Sequence, residues 1–391
     1  MERILIIGGG GTGAALAHDL TSRGFGVTLV EKGGLLSGTT GRHHGLLHSG
    51  ARYVLHDLET ARECYAENQI LRRLAPQAIE ANDGLFVALD DADMAHHGAF
   101  IERCAQAGIP ARPLTARQAL ALEPALAPGI RAAVQVPDGT IDAWRLPLHF
   151  FAAAQAAGAN ILPFHPVERL VLNGRQVIGA GVRDLCTGRA ITLAADLVVN
   201  AAGAWAGQIG AQAGVAIPVR PGPGVMVAVR GRLTNMVINR LQPADEGDIL
   251  VPQRNLSIIG TTAWLARDPD RVTLPPDHVG KLIALGARLI PDLRRAPLHA
   301  SWCASRPLFQ SDGEQNPMRI SRGFSCIDHQ ERDGLGGLIS VIGGKATTLR
   351  AMARHAADLI CAKTGRSAPC RTAQTPLPPY RRFLQTHRMR G

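Results

Sequence analysis

Gly8-Gly9-Gly10-Gly11-Thr12-Gly13, directly after the apolar run Ile4-Leu5-Ile6-Ile7, constrains this chain more than any other stretch. A short apolar run of this kind reads as a buried parallel strand. Gly8, Gly10 and Gly13 fit Gly-x-Gly-x-x-Gly, and Ala14-Ala15-Leu16-Ala17 opens a helical pattern. In such a turn the first glycine makes the tight bend. The second lets backbone approach a pyrophosphate, and the third lets the helix pack closely on the strand. The pyrophosphate then sits at the helix N-terminus, where free N–H groups and the macrodipole favour negative charge. Alone the pattern is weak, but here a second strand, Val27-Thr28-Leu29-Val30, ends in Glu31, eighteen positions after Gly13. A carboxylate there accepts both hydroxyls of an adenosine ribose and disfavours a 2′-phosphate. The stretch is read as a dinucleotide site.

With 391 residues the chain has room for about two domains and a sizeable core. Apolar residues make up 46% and charged residues 19%, the balance of a globular protein rather than a disordered one. No apolar run approaches the roughly 18 residues of a membrane-spanning helix, and the start at Ile4 is too short for a signal peptide. A cytoplasmic location is expected. The seven cysteines are scattered without a Cys-x-x-Cys, which argues against a disulfide framework, a zinc ribbon or an iron–sulfur cluster. Net charge is +10, yet aromatics are only 4% and do not alternate with basic residues, so a nucleic-acid surface is not expected. Part of the charge sits at the end, in Arg381, Arg382, Arg388 and Arg390. A solvated tail and contact with acidic lipid headgroups are both open readings of it.

Further along, residues 33–50 form a long segment rich in glycine and hydroxyl residues, with Arg42 and Arg52 as its cations. Loops of this length in a compact domain are usually functional. Helices are expected over 58–74 (closed by Pro76), 97–107, 114–126, 142–157, 272–289 and 347–361. His96 and His97 fall at a polar helix start and are expected to be solvated. Strands are expected over 85–89, 133–136, 159–162, 167–172, 177–183, 191–193 and 197–199. Further strands are expected over 225–229, 249–251, 256–262, 297–306 and 338–342. Two of these end in small residues, Asn200-Ala201-Ala202-Gly203 and Gly343-Gly344-Lys345, where backbone can again pass close to a ligand. His44 and His48 lie four apart, but the segment is too glycine-rich for a helix and His-Glu-x-x-His is absent, so no metal is expected. Beyond Pro376 the chain is proline-rich and basic, with no core of its own expected.

Several of these pieces together resemble the FAD-dependent glycerol-3-phosphate dehydrogenases, most closely the catalytic subunits of the anaerobic bacterial enzymes. The match is carried by Thr40-Gly41-Arg42, by His44-Gly45-Leu46-Leu47-His48-Ser49-Gly50-Ala51-Arg52-Tyr53, and by Val136-Pro137-Asp138-Gly139-Thr140. It continues in Val199-Asn200-Ala201-Ala202-Gly203, Ile249-Leu250-Val251-Pro252, Ile259-Gly260-Thr261-Thr262 and Arg306-Pro307-Leu308. Glu331-Arg332-Asp333-Gly334 and Gly343-Gly344-Lys345 complete it, so that nearly the whole chain is covered.

The resemblance implies an α/β fold with an α+β insert. A Rossmann-like FAD-binding domain would be assembled from residues 1–75, 145–218 and 316–375. A mixed-sheet substrate domain would take 76–144 and 219–315, as in the D-amino-acid oxidase and glycerol-3-phosphate dehydrogenase fold, leaving 376–391 as a basic tail. It implies FAD as cofactor, with Gly8, Gly10, Gly11, Thr12 and Gly13 at the pyrophosphate, Glu31 at the adenosine ribose, and Lys32 among the cofactor-binding residues. Thr39, Thr40, Gly41, Arg42, His44, Gly45 and Leu46 would lie on the flavin side. Ala202, Gly203, Gly343, Gly344, Lys345, Ala346 and Thr347 would complete the cofactor site. Arg52, Tyr53, Arg306 and Lys345 would face substrate and flavin ring, and His48 is either the proton acceptor or a partner of flavin or backbone. The implied reaction is oxidation of sn-glycerol 3-phosphate to dihydroxyacetone phosphate, a hydride passing to flavin N5 and the electrons to a quinone or an electron-transfer partner.

Three departures bear on this. Pro223-Gly224-Val225 stands where relatives have Lys-Gly-Ser, and Met226 where some carry a histidine proposed as the base. Neither Pro223 nor Met226 accepts a proton. Leu349 replaces a common tyrosine, and the cysteine-rich C-terminal domain of the anaerobic enzymes' catalytic subunits would begin beyond the point where this sequence stops. Two alternatives therefore stand beside the main reading. One is a flavin-dependent dehydrogenase or oxidase of another anionic alcohol, such as 2-hydroxyglutarate or a different polyol phosphate. The other is a non-catalytic flavin-binding subunit of an electron-transfer complex.

Overall fold

The computed structural model describes residues 1–309, 320 and 323–388. The apolar run at the amino end forms the strand Arg3–Ile7 inside a six-stranded sheet. Gly26–Val30 and Leu197–Asn200 flank it in parallel, and Asn160–Leu162 and Leu338–Gly343 extend the two sides in parallel again. Phe324–Asp328 closes one edge antiparallel. Both faces of this sheet are covered, which is why its central strand is apolar at every interior position. Ile4 and Ile6 pack under the helices Gly11–Ser22, Arg145–Ala156 and Leu349–Thr364. Leu5 and Ile7 face the antiparallel strands Val167–Asn173, Gln176–Arg183 and Ala190–Ala194.

The parallel arrangement has one consequence for function. Strands that run the same way end on the same edge, so the turns after Ile7, Val30, Asn200 and Gly343 are gathered there from distant parts of the chain. Ligands of open α/β sheets bind in the crevice outside those carboxyl ends.

A second, eight-stranded sheet runs in the order Leu298–Phe309, Val219–Arg230, Leu256–Gly260, Ile249–Gln253, Val237–Arg240, Gly84–Ala88, Ala132–Val136, Arg112–Thr115. All its neighbours are antiparallel except Val237–Arg240 with Gly84–Ala88. Val225, Val227, Ile238, Leu250 and Ile259 point to one face, under the helix His278–Gly286. Leu46–Leu47, Gly139–Ile141 and Ile79–Glu80 make a small sheet between the two large ones.

Several elements differ from the sequence expectations. The strand expected at 225–229 begins at Val219, through Pro221 and Pro223. Over that first half it is laddered on one side only, by Leu298–Phe309, and the carbonyls of Pro221 and Pro223 turn outward to accept from Ala266 and Trp264. The missing N–H groups therefore cost no ladder bond. The expected helix 97–107 starts at Asp91, because the Asp90 side chain caps it by accepting from Asp93 N–H at 3.0 Å. His96 and His97 are consequently mid-helix and half-buried rather than solvated at its start. The helix expected over 114–126 runs only Ala116–Leu122, behind a capping box of Thr115 and Gln118. The helix expected over 272–289 is His278–Gly286, since Pro275 and Pro276 keep the residues before them extended.

Phe324–Asp328, Val237–Arg240 and Leu46–Leu47 are strands the sequence did not announce. The C-terminal segment is not a free tail over its described part. Pro378 O lies 2.7 Å from His149 Nδ1, and Phe383, 4% exposed, lies 5.6 Å from the Phe151 ring. Arg390 lies outside the described residues. Among the described residues no helix is long and apolar enough to cross a membrane.

Candidate active site

A cavity of about 940 Å³ opens along the carboxyl edge of the six-stranded sheet and continues beneath the eight-stranded one. At the end beside the glycine turn Gly8 has φ +117°, and a Cβ there would stand 2.4 Å from Ala201 O. A Cβ on Gly13 would stand 2.0 Å from Gly8 O, so helix and strand touch through that glycine. Glu31 accepts from Gly9 N at 2.8 Å and from Gly33 N at 2.9 Å, one bond to each oxygen. Each oxygen keeps a second lone pair able to accept a further hydrogen bond. Gly11 N–H is taken by Thr40 Oγ1 at 3.0 Å, which ties the following loop to the helix start. Lys32 turns to Asp270, 2.9 Å away, and lies 4.1 Å from the centre of the Trp205 ring, whose Nε1–H donates to the same carboxylate at 2.9 Å.

The loop after Glu31 is fastened to the second sheet. Thr39 Oγ1 donates to Ser305 O at 2.5 Å, and Trp302 Nε1–H to Arg42 O at 2.6 Å. A Cβ on Gly45, φ +88°, would collide with the Gln253 amide. His43 and His44 each accept a backbone N–H on Nδ1, from Gly45 at 2.9 Å and Leu46 at 3.2 Å. Burial pushes His43 down to about 4 and His44 to about 3, with His43, Arg306 and Arg52 adding to the effect on His44. Burial first, then His44, Arg52 and Lys345, holds His48 well below its ordinary value. The His48 Nδ1 is buried and has no partner among the described residues.

Around these rings stand the charged groups singled out in the sequence. Arg52 is buried and paired with Asp248 at 2.7 Å. Arg306 donates to Gly222 O at 3.2 Å, to Pro223 O at 3.4 Å and to the Thr261 hydroxyl. Thus Pro223 contributes a carbonyl that orients Arg306. Lys345 lies 5.0 Å from the centre of the Tyr53 ring, and Tyr53 lies 5.4 Å from His48. Lys345 N–H bonds Thr348 Oγ1 at 3.2 Å and a 3-10 turn, Ala346–Thr348, precedes the helix, so this helix start is capped rather than open.

Gly8, Gly10, Gly11, Thr12, Glu31, Lys32, Thr39, Thr40, Arg42, His44 and Leu46 all line the one cavity. His48, Arg52, Tyr53, Ala202, Gly203, Arg306, Gly343, Gly344, Lys345 and Ala346 line it as well. Gly13, Gly41, Gly45 and Thr347 stand behind the wall. Gly41 leaves room for the Trp144 ring, and Thr347 Oγ1 accepts from His48 N at 3.1 Å. Sequence reading missed Trp205, Asp248 and Asp270, lone residues in no motif. Asp138 lay in a quoted motif without a role; buried, and pushed up by burial, it accepts from Ser49 N at 2.7 Å and fixes the loop bearing Arg52.

A model of the FAD dependent oxidoreductase family (DAO) matches residues 3–359. The chain belongs to that family. The family's cofactor, FAD, is this chain's cofactor. The volume suits it, at the upper end of the roughly 300–1,000 Å³ of ordinary ligand sites, and the glycine cradle and the Glu31 lone pairs fit its adenosine and pyrophosphate. Among relatives in the family, the chain is 42% identical to one subunit of the anaerobic glycerol-3-phosphate dehydrogenase of Escherichia coli K12, covering 96% of this chain and 70% of that one. The FAD complex of the Bacillus halodurans glycerol-3-phosphate dehydrogenase is 25% identical with a TM-score of 0.75, over 96% of this chain and 68% of that one. The FAD-bound L-alpha-glycerophosphate oxidase of Mycoplasma pneumoniae shares the fold at 19% identity and a TM-score of 0.75, over 97% of this chain and all of that one.

Proposed function

We propose that this oxidoreductase converts sn-glycerol 3-phosphate to dihydroxyacetone phosphate. One observation carries the reading: Arg52, Arg306 and Lys345, from three distant segments, border the same cavity around the same histidines. A phosphate held away from water needs fixed cations, and arginine offers a planar fork for its oxygens. The 42% identical relative is named for this substrate.

Oxidation of a secondary alcohol removes a proton from oxygen and a hydride from carbon, leaving a ketone. FAD, when bound, supplies the two-electron acceptor for that hydride at N5. Gly8, Gly10, Gly11, Thr12, Glu31 and the loop residues Thr39, Thr40, Arg42, His44 and Leu46 would hold it, together with Ala202, Gly203 and Gly343 to Ala346. Arg52 and Arg306 bind the phosphate, and Lys345 supplies positive charge beside the developing negative charge. His48 takes the hydroxyl proton on its imidazole, which burial and the surrounding cations hold neutral at physiological pH. This assignment replaces the base that Pro223 and Met226 cannot provide. The reading extends to an electron acceptor, either a quinone or an electron-transfer subunit, in a cytoplasmic setting with the basic C-terminal helix turned to the membrane surface.

The changed residues at 223 and 226 favour one rival, another anionic alcohol. Dye reduction by the purified holoenzyme with glycerol 3-phosphate, 2-hydroxyglutarate and lactate separates them. Preference for glycerol 3-phosphate supports the proposal, and preference for a hydroxy acid replaces it. Reduction with none of them leaves a different polyol phosphate or the non-catalytic flavin subunit.

A further inference from the structure

We propose that Asp248 is a positioning residue for the anion site, gripping one edge of the Arg52 guanidinium so that the side chain stays at the cavity wall that receives the substrate. The inference rests on the reading that Arg52 receives the substrate's phosphate. Arg52 is 9% exposed at its side chain and Asp248 2%, so the pair is formed away from water. Arg52 Nη2 donates to Asp248 Oδ1 at 2.7 Å and to Asp245 O at 3.3 Å, which uses both of its hydrogens. Nη1 is buried and has no partner among the described residues. Arg52 lines the cavity, as do Ala244 and Asp245 of the adjoining turn.

Asp248 is itself held on every side. Its Oδ2 accepts from Asp245 N at 3.0 Å, and its carbonyl accepts from Arg240 N at 3.0 Å across the sheet. The carboxylate thus fixes the guanidinium about its axis and joins it to the turn that walls the cavity. Without it the guanidinium would keep only the 3.3 Å bond to Asp245 O. A strand-start aspartate with no contact to substrate would then govern how the substrate's anionic end is received.

The experiment is a double-mutant cycle on the FAD-loaded enzyme. Asp248→Ala is expected to raise KM for glycerol 3-phosphate about tenfold or more, the scale of one charged hydrogen bond. Flavin content is expected near wild type and kcat to change far less than KM, while Tm falls because a buried guanidinium loses its partner. In an Arg52→Ala background the same change is expected to add almost nothing. Should the alanine chain not fold, Asp248→Asn carries the test. Its expected effect is a smaller rise in KM that vanishes without Arg52. An unchanged KM in both variants, or a rise that persists without Arg52, overturns the proposal. Wild-type enzyme inert toward glycerol 3-phosphate would instead overturn the substrate reading on which it rests.

Discussion

The Lys345 ammonium stands 5.0 Å from the centre of the Tyr53 ring, although the two residues belong to opposite ends of the chain. That distance suits a cation over an aromatic face. It brings the turn after the last parallel strand against the loop that follows the second one, with His48 5.4 Å from the same ring. Both residues occupy the wall of one cavity with Arg52 and Arg306.

If these cations stabilise charge during the reaction, removing either should slow it without dismantling the site. Lys345→Ala and Arg306→Ala are each predicted to lower kcat/KM for glycerol 3-phosphate by about 10²-fold or more. Steady-state dye reduction at matched flavin content measures this. Wild-type kinetics in both variants would remove the two residues from the mechanism.

Gly13 tests the nucleotide end. A Cβ there would meet Gly8 O at 2.0 Å, so alanine must push the helix off the strand. Gly13→Ala is predicted to yield protein with little or no bound FAD, read from its visible absorbance after purification. Stoichiometric FAD in this variant would show that the turn does not depend on that close packing.

The histidine cluster gives a pH dependence. Burial holds His43 at about 4 and His44 at about 3 in the folded protein, against about 6.5 in an unfolded chain. Between those values the unfolded chain binds protons that the folded one does not, so stability is complete above about pH 6.5 and declines as pH falls toward 4. Tm is predicted to drop across that window and to drop less in His44→Gln. Because His48 is also held well below 6.5, kcat at saturating substrate is predicted to stay level as pH is lowered through 6.5. A constant Tm, or an activity limb at the ordinary histidine value, would contradict the assignments.

Arg350 and Glu67 form an ion pair in which both side chains are 4% exposed, with Arg350 Nε 2.9 Å from Glu67 Oε2. The pair joins the helix Leu58–Leu74 to the helix that follows Lys345. Glu67→Ala strands a buried guanidinium and is predicted to cost about 3–5 kcal/mol in denaturant unfolding, whereas a paired replacement by Leu and Met should cost far less. Equal losses in the single and the double variant would show that the pair itself, not its burial, matters.

Much of the nucleotide end was legible because its chemistry is local. The glycine spacing, the strand before it and Glu31 are contiguous in sequence, and each has a single mechanical reason. The convergence of Gly343-Gly344-Lys345 with that turn follows from strand direction, which neighbouring residues do not encode. Asp248, Trp205 and Asp270 could not be read, because each owes its place to one partner far along the chain. The early start of the helix at Asp91 was legible in Asp90, a cap residue whose signal was outweighed by the polar run after it. Phe383 shows the opposite error, where a basic composition concealed one aromatic ring that docks on Phe151.

The central claim is tested most directly by mixing the FAD-loaded protein with sn-glycerol 3-phosphate in the absence of oxygen and following the flavin absorbance. The account predicts that the yellow colour bleaches and that one dihydroxyacetone phosphate appears per flavin. A flavin that stays oxidised with this substrate, yet bleaches with dithionite, would contradict it.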